Sequence, residues 1–293
     1  MLGVYIRIWL NNIGDIMSII KCPVCNGVLN KVERTYKCGN KHSFDISSKG
    51  YTNLMLANQS FSDASGDDKE MVLSRKEFFE LDKYKCLKCK LLEVINKYVN
   101  KEKITFLDIA CGEGYYTNFL HENLSEKYKI DTYGIDISRF AIHEANKSKK
   151  MKNLENIEYF IANLSRLPFI DKSLDLMLNC FAPIDEKEFY RVLNDNGIYI
   201  RVLPGKDHLF GLKSVLYENP YLNERKEENI NGLTLKEELE ISEDIKLDSS
   251  EEIINLFKMT PYYYKTSKSV MNKLECMDSL KTTISFVIRI YAK

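Results

Sequence analysis

Apolar residues along the chain follow two rhythms. Between residues 69 and 100 they recur at helical spacing, with Leu81, Tyr84, Leu87, Leu91 and Ile95 on one stripe, which predicts helices over 69–82 and 84–100. From residue 104 the apolar positions gather instead into short runs separated by polar, helix-like stretches. Ile104 to Ile109 reads as a buried strand, and the segment from Tyr115 as a helix with Phe119 and Leu120 inward. Strands follow in DTYGIDIS (131–138), IEYFIANLSRLPF (157–169), SLDLMLNCFAP (173–183) and GIYIRVLPG (197–205). That alternation predicts an α/β fold with a doubly wound parallel sheet. The terminal KTTISFVIRIYAK reads as one more strand, pairing antiparallel at the sheet edge. Before residue 60 only GVLNKVERTYK is patterned, as a short hairpin with Val28, Val32 and Tyr36 on strands and a polar turn between.

Composition narrows the picture modestly. The 293 residues carry 42 basic and 42 acidic side chains and are 44% hydrophobic, which excludes a disordered tail protein and a polycation that coats nucleic acid by charge alone. The apolar run from Val4 to Leu10 is broken by Arg7 and followed by Asn11 and Asn12. It is too short to span a bilayer, which takes about 20 apolar residues, and it lacks the parts of a secretory signal. A cytoplasmic protein with no membrane partner is expected. Because Met17 shortly precedes the first cysteine, residues 1–16 are a candidate N-terminal extension. The remaining divisions are 17–60 as a small N-terminal module, 61–102 as linker and helices, and 103–293 as the α/β domain.

The zinc assignment comes from spacing. Cys22 and Cys25 form a C-x-x-C knuckle, and Cys38 and His42 follow in CGNKH. A knuckle presents two thiolates to one ion without strain, and a second separated pair completes a tetrahedron. A redox role for Cys22 and Cys25 would need a neighbouring βαβ pattern, which is absent. The second C-x-x-C, Cys86 and Cys89, sits inside a helical pattern with no further ligands nearby, and Cys111, Cys180 and Cys276 read as small buried or loop residues. Residues 17–60 hold a surplus of four positive charges with Tyr36, Phe44 and Tyr51 interleaved. That mixture suits a grip on phosphates and unstacked bases; it equally suits a small module that carries charge to stay soluble.

Between the first strand and its helix lies Asp108-x-Ala110-x-Gly112-x-Gly114. Glycines there let a ligand approach the backbone and leave the helix N-terminus open to it. A dinucleotide fingerprint begun at Gly112 would need glycine at 117, where Thr117 stands. The pattern instead resembles the first motif of class I S-adenosylmethionine-dependent methyltransferases, with Ala110 replacing one glycine. The resemblance implies a seven-stranded, Rossmann-like class I sheet. Asp136, ending the second strand, would take the cofactor's ribose hydroxyls. Ala162, Asn163 and Leu164 after the third strand would hold the adenine, and Asn179 to Pro183 after the fourth would lie beside the methyl group.

Zinc module and methyltransferase together resemble the RlmA-type guanine-N1 methyltransferases of 23S ribosomal RNA, over essentially everything from Met17 onward. The motifs HSFDISSKGYTNL, GDDKEMVLSR, LDIACGEGYYT, LPGKDHL and MTPYYY carry the match, several with no generic methyltransferase role. The resemblance implies cofactor contacts at Tyr84, Gly112, Glu113 and His208, zinc and S-adenosylmethionine as cofactors, a 23S ribosomal RNA hairpin as substrate, and a homodimer. The proton on guanine N1 must leave during transfer. Asp185 and Asn179 are the catalytic candidates, Asp185 being equally suited to cap a helix. Two other readings compete: a small-molecule methyltransferase with a structural zinc lid, and a non-catalytic RNA-binding protein on the same scaffold. Intact Gly112, Gly114 and Asp136 argue against the second of these, and the basic zinc module against the first. Residues 224–252 hold eleven acids and four bases, so the neutral total averages unlike parts, and this acidic stretch is expected away from RNA.

Overall fold

Residues 18–56, 66–224 and 228–293 are described by a computed structural model, so the candidate extension over 1–16 lies outside the described residues. The first segment forms a three-stranded antiparallel sheet of β1 (Leu29–Val32), β2 (Thr35–Cys38) and β3 (Ser43–Asp45), followed by the two-residue β4 (Thr52–Asn53). The expected hairpin is β1 and β2. Val32 pairs with Thr35 across a two-residue turn in which Glu33 adopts φ 53°, the left-handed geometry that such turns demand.

Helices α1 (Lys69–Glu80) and α2 (Lys85–Tyr98) come next, where the helical stripe predicts them. Asp68 caps α1 by accepting from the Met71 amide at 2.9 Å. The α/β alternation then runs β5 (Lys103–Ile109), α3 (Tyr115–Leu124), β6 (Lys129–Asp136), α4 (Arg139–Met151), β7 (Ile157–Ile161), β8 (Leu174–Cys180), α5 (Glu186–Val192) and β9 (Leu193–Pro204). The chain closes with α6 (Phe210–Leu216), β10 (Thr234–Leu247), α7 (Ser250–Lys258), α8 (Lys268–Glu275) and β11 (Leu280–Ala292).

The large sheet has the order β10-β11-β9-β8-β5-β6-β7-β4. Seven of its strands make the class I sheet; β4 adds an eighth by pairing parallel to β7 through Thr52 and Asn53. The strands β5 to β9 are parallel, and β11 runs antiparallel to both of its neighbours. One expectation is corrected here. β11 is not at the edge but lies between β9 and β10. Nearly every residue of β11 is buried, whereas β10, drawn from the acidic stretch, is largely exposed. A strand buried on both faces belongs inside a sheet, and one studded with charge is suited to an edge that must not recruit another chain.

Apolar side chains cover both sheet faces. On one face Phe78, Phe79, Tyr84, Leu87 and Leu91 from α1 and α2 share a cluster with Phe106, Leu178, Ile200 and Phe286. On the other, Ile20, Cys22, Leu29 and Tyr36 of the N-terminal segment join Leu107, Ile135, Phe160 and Phe169. The segment is seated by an edge-on contact of Tyr36 with Phe160 at 5.7 Å. Glu158 on β7 accepts from the Tyr36 hydroxyl and, at 2.7 Å, from Lys31. Among the described residues no helix is long and apolar enough to cross a membrane.

Candidate functional site

The ligand atoms of Cys22, Cys25, Cys38 and His42 converge within 4.8 Å of one another. Cys25 Sγ lies 3.6 Å from Cys38 Sγ, and His42 Nδ1 lies 3.7 Å from Cys22 Sγ and 3.4 Å from Cys38 Sγ. Zinc bonds of about 2.3 Å to sulfur and about 2.0–2.1 Å to nitrogen, set tetrahedrally, put such atoms roughly 3.5–3.8 Å apart. The four residues therefore fit zinc. Local backbone builds the first knuckle: the Cys22 amide donates to Gly27, Asn26 donates back to Cys22, and Asn26 takes φ 61°. The Gly27 amide also holds the Cys25 thiol down to about 6, toward the thiolate a metal needs. The second pair, Cys86 and Cys89, lies on α2, and no further ligand group gathers there among the described residues.

At the carboxyl ends of the parallel strands opens a cavity of about 890 Å³, lined among others by Asp108, Gly112, Glu113, Asp136, Phe181 and His208. A crevice at this place is where open α/β sheets bind ligands. The turn between β5 and α3 is strongly bent: Ala110 (φ 55°), Gly112 (φ 56°) and Gly114 (φ 79°) are all left-handed. A side chain at Gly114 would strike the Tyr159 hydroxyl at 2.8 Å, so this glycine lets the turn sit on β7 and starts α3. Gly112 faces the cavity and offers its amide to Asp136 Oδ2 at 3.0 Å, while Ser138 donates to Asp136 Oδ1 at 2.8 Å. Each carboxylate oxygen keeps a lone pair for a ribose hydroxyl. Burial raises Asp136 to about 6 against those two amides and Arg75, and it raises Asp108 to about 7 against a hydrogen bond from Thr117.

Tyr84 and His208 also meet on the cavity lining. Tyr84 is the residue on which α2 begins, and its hydroxyl lies 3.3 Å from His208 Nε2. The Ser285 amide donates to His208 Nδ1 at 3.1 Å, which leaves the ring proton on Nε2 to point at Tyr84. Burial lowers His208 to about 4, so the ring is neutral, and the Tyr84 hydroxyl keeps its own proton for a ligand. Asn163 and Leu164 also line the cavity, Asn163 with its carbonyl oxygen occupied by the Ser165 amide. The donors, the ionisable Asp136 and the open glycine turn fit S-adenosylmethionine.

Asn179 and Asp185 turn elsewhere. Asn179 is fully buried, donates to the Pro183 carbonyl at 2.9 Å and accepts from Arg201 at 3.4 Å, so it shapes the loop after β8 from behind. Asp185 caps α5, accepting from the Glu188 amide at 3.1 Å. Neither side chain lines the cavity. Arg75, which has no sequence assignment, and Phe181, expected only as part of the loop beside the methyl group, do border it. Arg75 of α1 bonds Glu113 Oε2 at 2.6 Å, and Phe181 stands at the mouth, 42% exposed, with φ 62°. Arg75 lies in the motif GDDKEMVLSR, but no helical stripe could say that its guanidinium reaches the glycine turn. Phe181 is strained, since a bulky residue with positive φ is an outlier, and nothing in a sequence reports φ.

Comparisons with known proteins follow the same two parts. The methyltransferase domain family matches residues 100–258, more than half the chain, and the zinc-ribbon family described as RlmA, N-terminal, matches residues 20–62. A Bacillus subtilis (strain 168) protein, provisionally named a 23S rRNA (guanine-N(1)-)-methyltransferase, is 28% identical over 94% of this chain and 98% of its own. The 23S rRNA (guanine(748)-N(1))-methyltransferase of Streptomyces fradiae is 26% identical over 69% of each chain. A solved SAM-dependent methyltransferase from Aquifex aeolicus superposes with a TM-score of 0.45 at 15% identity, over 75% of this chain and 98% of that one.

Proposed function

Because the chain belongs to the methyltransferase domain family and carries the RlmA N-terminal zinc ribbon, we propose that it methylates N1 of a guanine in a hairpin of 23S ribosomal RNA. The observation that carries this reading is the joining of a four-ligand ribbon, packed on one face of the sheet, to a class I cofactor cavity at the carboxyl ends of its strands. A relative provisionally named for this reaction aligns with 94% of this chain, and so with both parts. S-adenosylmethionine, when bound, supplies an electrophilic methyl on sulfonium.

The chain's own contribution is placement. Asp136 would accept the ribose hydroxyls, Asn163 and Leu164 would flank the adenine, and Tyr84 and Glu113 would fix the amino-acid end. Holding nucleophile and methyl in line at about 3 Å supplies much of the rate acceleration. N1 lies on the Watson–Crick edge, so the base must be unpaired or turned out of its stack. Phe181, exposed at the cavity mouth and tilted 26° from the His208 ring, gives that base a face to stack on. The ribbon and the acidic edge strand β10 lie toward opposite ends of the sheet order, which supports RNA approach from the ribbon side. A homodimer with paired ribbons, working in the cytoplasm, belongs to the same proposal; sedimentation of the free protein tests the dimer.

The direct test is to incubate the protein and methyl-labelled S-adenosylmethionine with ribosomal RNA from a strain lacking the enzyme, then map the modified base. Label on guanine N1 is expected. Label only in a metabolite extract would turn the reading to a small-molecule methyltransferase, and no transfer at all to a binding scaffold.

A further inference from the structure

Arg75 is held by two carboxylates at the glycine turn, and its engagement is incomplete. Its Nε donates to Glu113 Oε2 at 2.6 Å and its Nη1 to Asp67. These bonds fix the guanidinium plane and leave Nη2, which is out of solvent and has no partner among the described residues. Nη2 lies over the cofactor turn: a Cβ on Gly112 would stand 3.0 Å from it. Tyr116, the second residue of α3, lines the same cavity, and its buried hydroxyl is also without a partner among the described residues. Native structures rarely leave buried donors unmade. Two on the lining of one cavity point to an absent acceptor.

The chemistry of the cofactor identifies that acceptor. Its sulfonium and ammonium are cationic and its ribose and adenine are neutral, so its α-carboxylate is the one anionic group. We propose that Arg75 Nη2 and the Tyr116 hydroxyl form the subsite for the α-carboxylate of S-adenosylmethionine. The Arg75–Glu113 pair is then complementary to the zwitterion: guanidinium toward carboxylate, carboxylate toward ammonium. Arginine suits this place because its planar fork can hold Glu113 and Asp67 on two edges and still present a third donor. The proposal rests on the cofactor and not on which RNA is methylated.

The test is calorimetric binding of S-adenosylmethionine and of decarboxylated S-adenosylmethionine to the full chain. The native protein should prefer the carboxylated form by about tenfold to a hundredfold, the scale of a charge-assisted hydrogen bond. Arg75→Lys and Tyr116→Phe should each narrow that ratio. Tyr116→Phe removes one hydroxyl without disturbing the ion pairs, so it keeps the test valid should Arg75→Lys loosen the fold. A native ratio near one overturns the subsite, and so do variants that weaken both ligands by the same factor. Absence of binding by either ligand overturns the subsite together with the cofactor reading, whereas guanine methylation can fail while the carboxylate preference stands.

Discussion

The ribbon and the cofactor domain reach a defined site by opposite routes. The ribbon segment has a three-stranded sheet and one short strand lent to the large sheet, and its own buried apolar set is small: Ile20, Leu29, Tyr36 and Leu54, with the ligands Cys22 and Cys38. So small a core cannot stabilise itself, and the metal joins its two knuckles. In the cofactor domain the fold comes first. Parallel strands buried on both faces bring the ends of β5, β6, β7 and β8 to one rim, and the cavity follows from where the chain turns. In the first region the bound ion makes the structure, and in the second the structure makes the place for the ligand.

The sharpest way to break that comparison is to remove zinc. In Cys22→Ser, or after chelation, residues 18–56 should unfold locally, since metal binding supplies about 10–16 kcal/mol in small zinc modules. RNA binding in a gel-shift assay should be lost while calorimetric affinity for S-adenosylmethionine stays nearly unchanged. Equal collapse of both would show that the two regions are one cooperative unit.

The converse experiment is Asp136→Asn. Cofactor affinity should fall by about tenfold to a hundredfold, the loss of charge-assisted bonds worth about 1.5–3 kcal/mol, with zinc content unaltered. The same carboxylate sets a pH dependence. Asp136 titrates near 6, above the usual carboxylate range, because burial penalises its charge. Its ionised form accepts two hydroxyls, so affinity should be full above about pH 6 and decline as pH falls through it, approaching tenfold per unit. Isothermal titration between pH 5 and 8 checks this, and the Asp136→Asn variant should lose that part of the slope.

The seam between the regions gives the smallest effects. Tyr36→Phe removes a hydrogen bond to Glu158 and should cost about 0.5–1.5 kcal/mol in denaturant unfolding. Lys31→Ala, at a half-exposed ion pair with the same acid, should cost less than about 1 kcal/mol. A much larger loss in either would mean that ribbon and sheet stabilise each other strongly.

Most of the site's parts were legible along the chain. The spacing of Cys22, Cys25, Cys38 and His42 already describes a tetrahedron, because knuckle geometry is local. The turn at Ala110, Gly112 and Gly114 is legible for the same reason, since a strand, a bend and a helix are contiguous in sequence. Tyr84 and His208 needed the family resemblance, as a buried aromatic and a loop histidine carry no signal of their own. Asn179 and Asp185 sit at the right ends of the right elements and still face away, because side-chain direction was decided by Pro183, Arg201 and the first turn of α5.

What the sequence by itself determined is therefore whatever is held within a few residues: the periodicity of α1 and α2, the succession of strands and helices along the chain, the metal ligands and the glycine turn. Tertiary structure decided what depends on remote neighbours. It placed β11 inside the sheet and the acidic β10 outside, seated Tyr36 against Glu158, and brought Arg75 to Gly112 across 37 positions of chain. Those outcomes compare the burial and charge of whole surfaces, and no local pattern of residues contains that comparison.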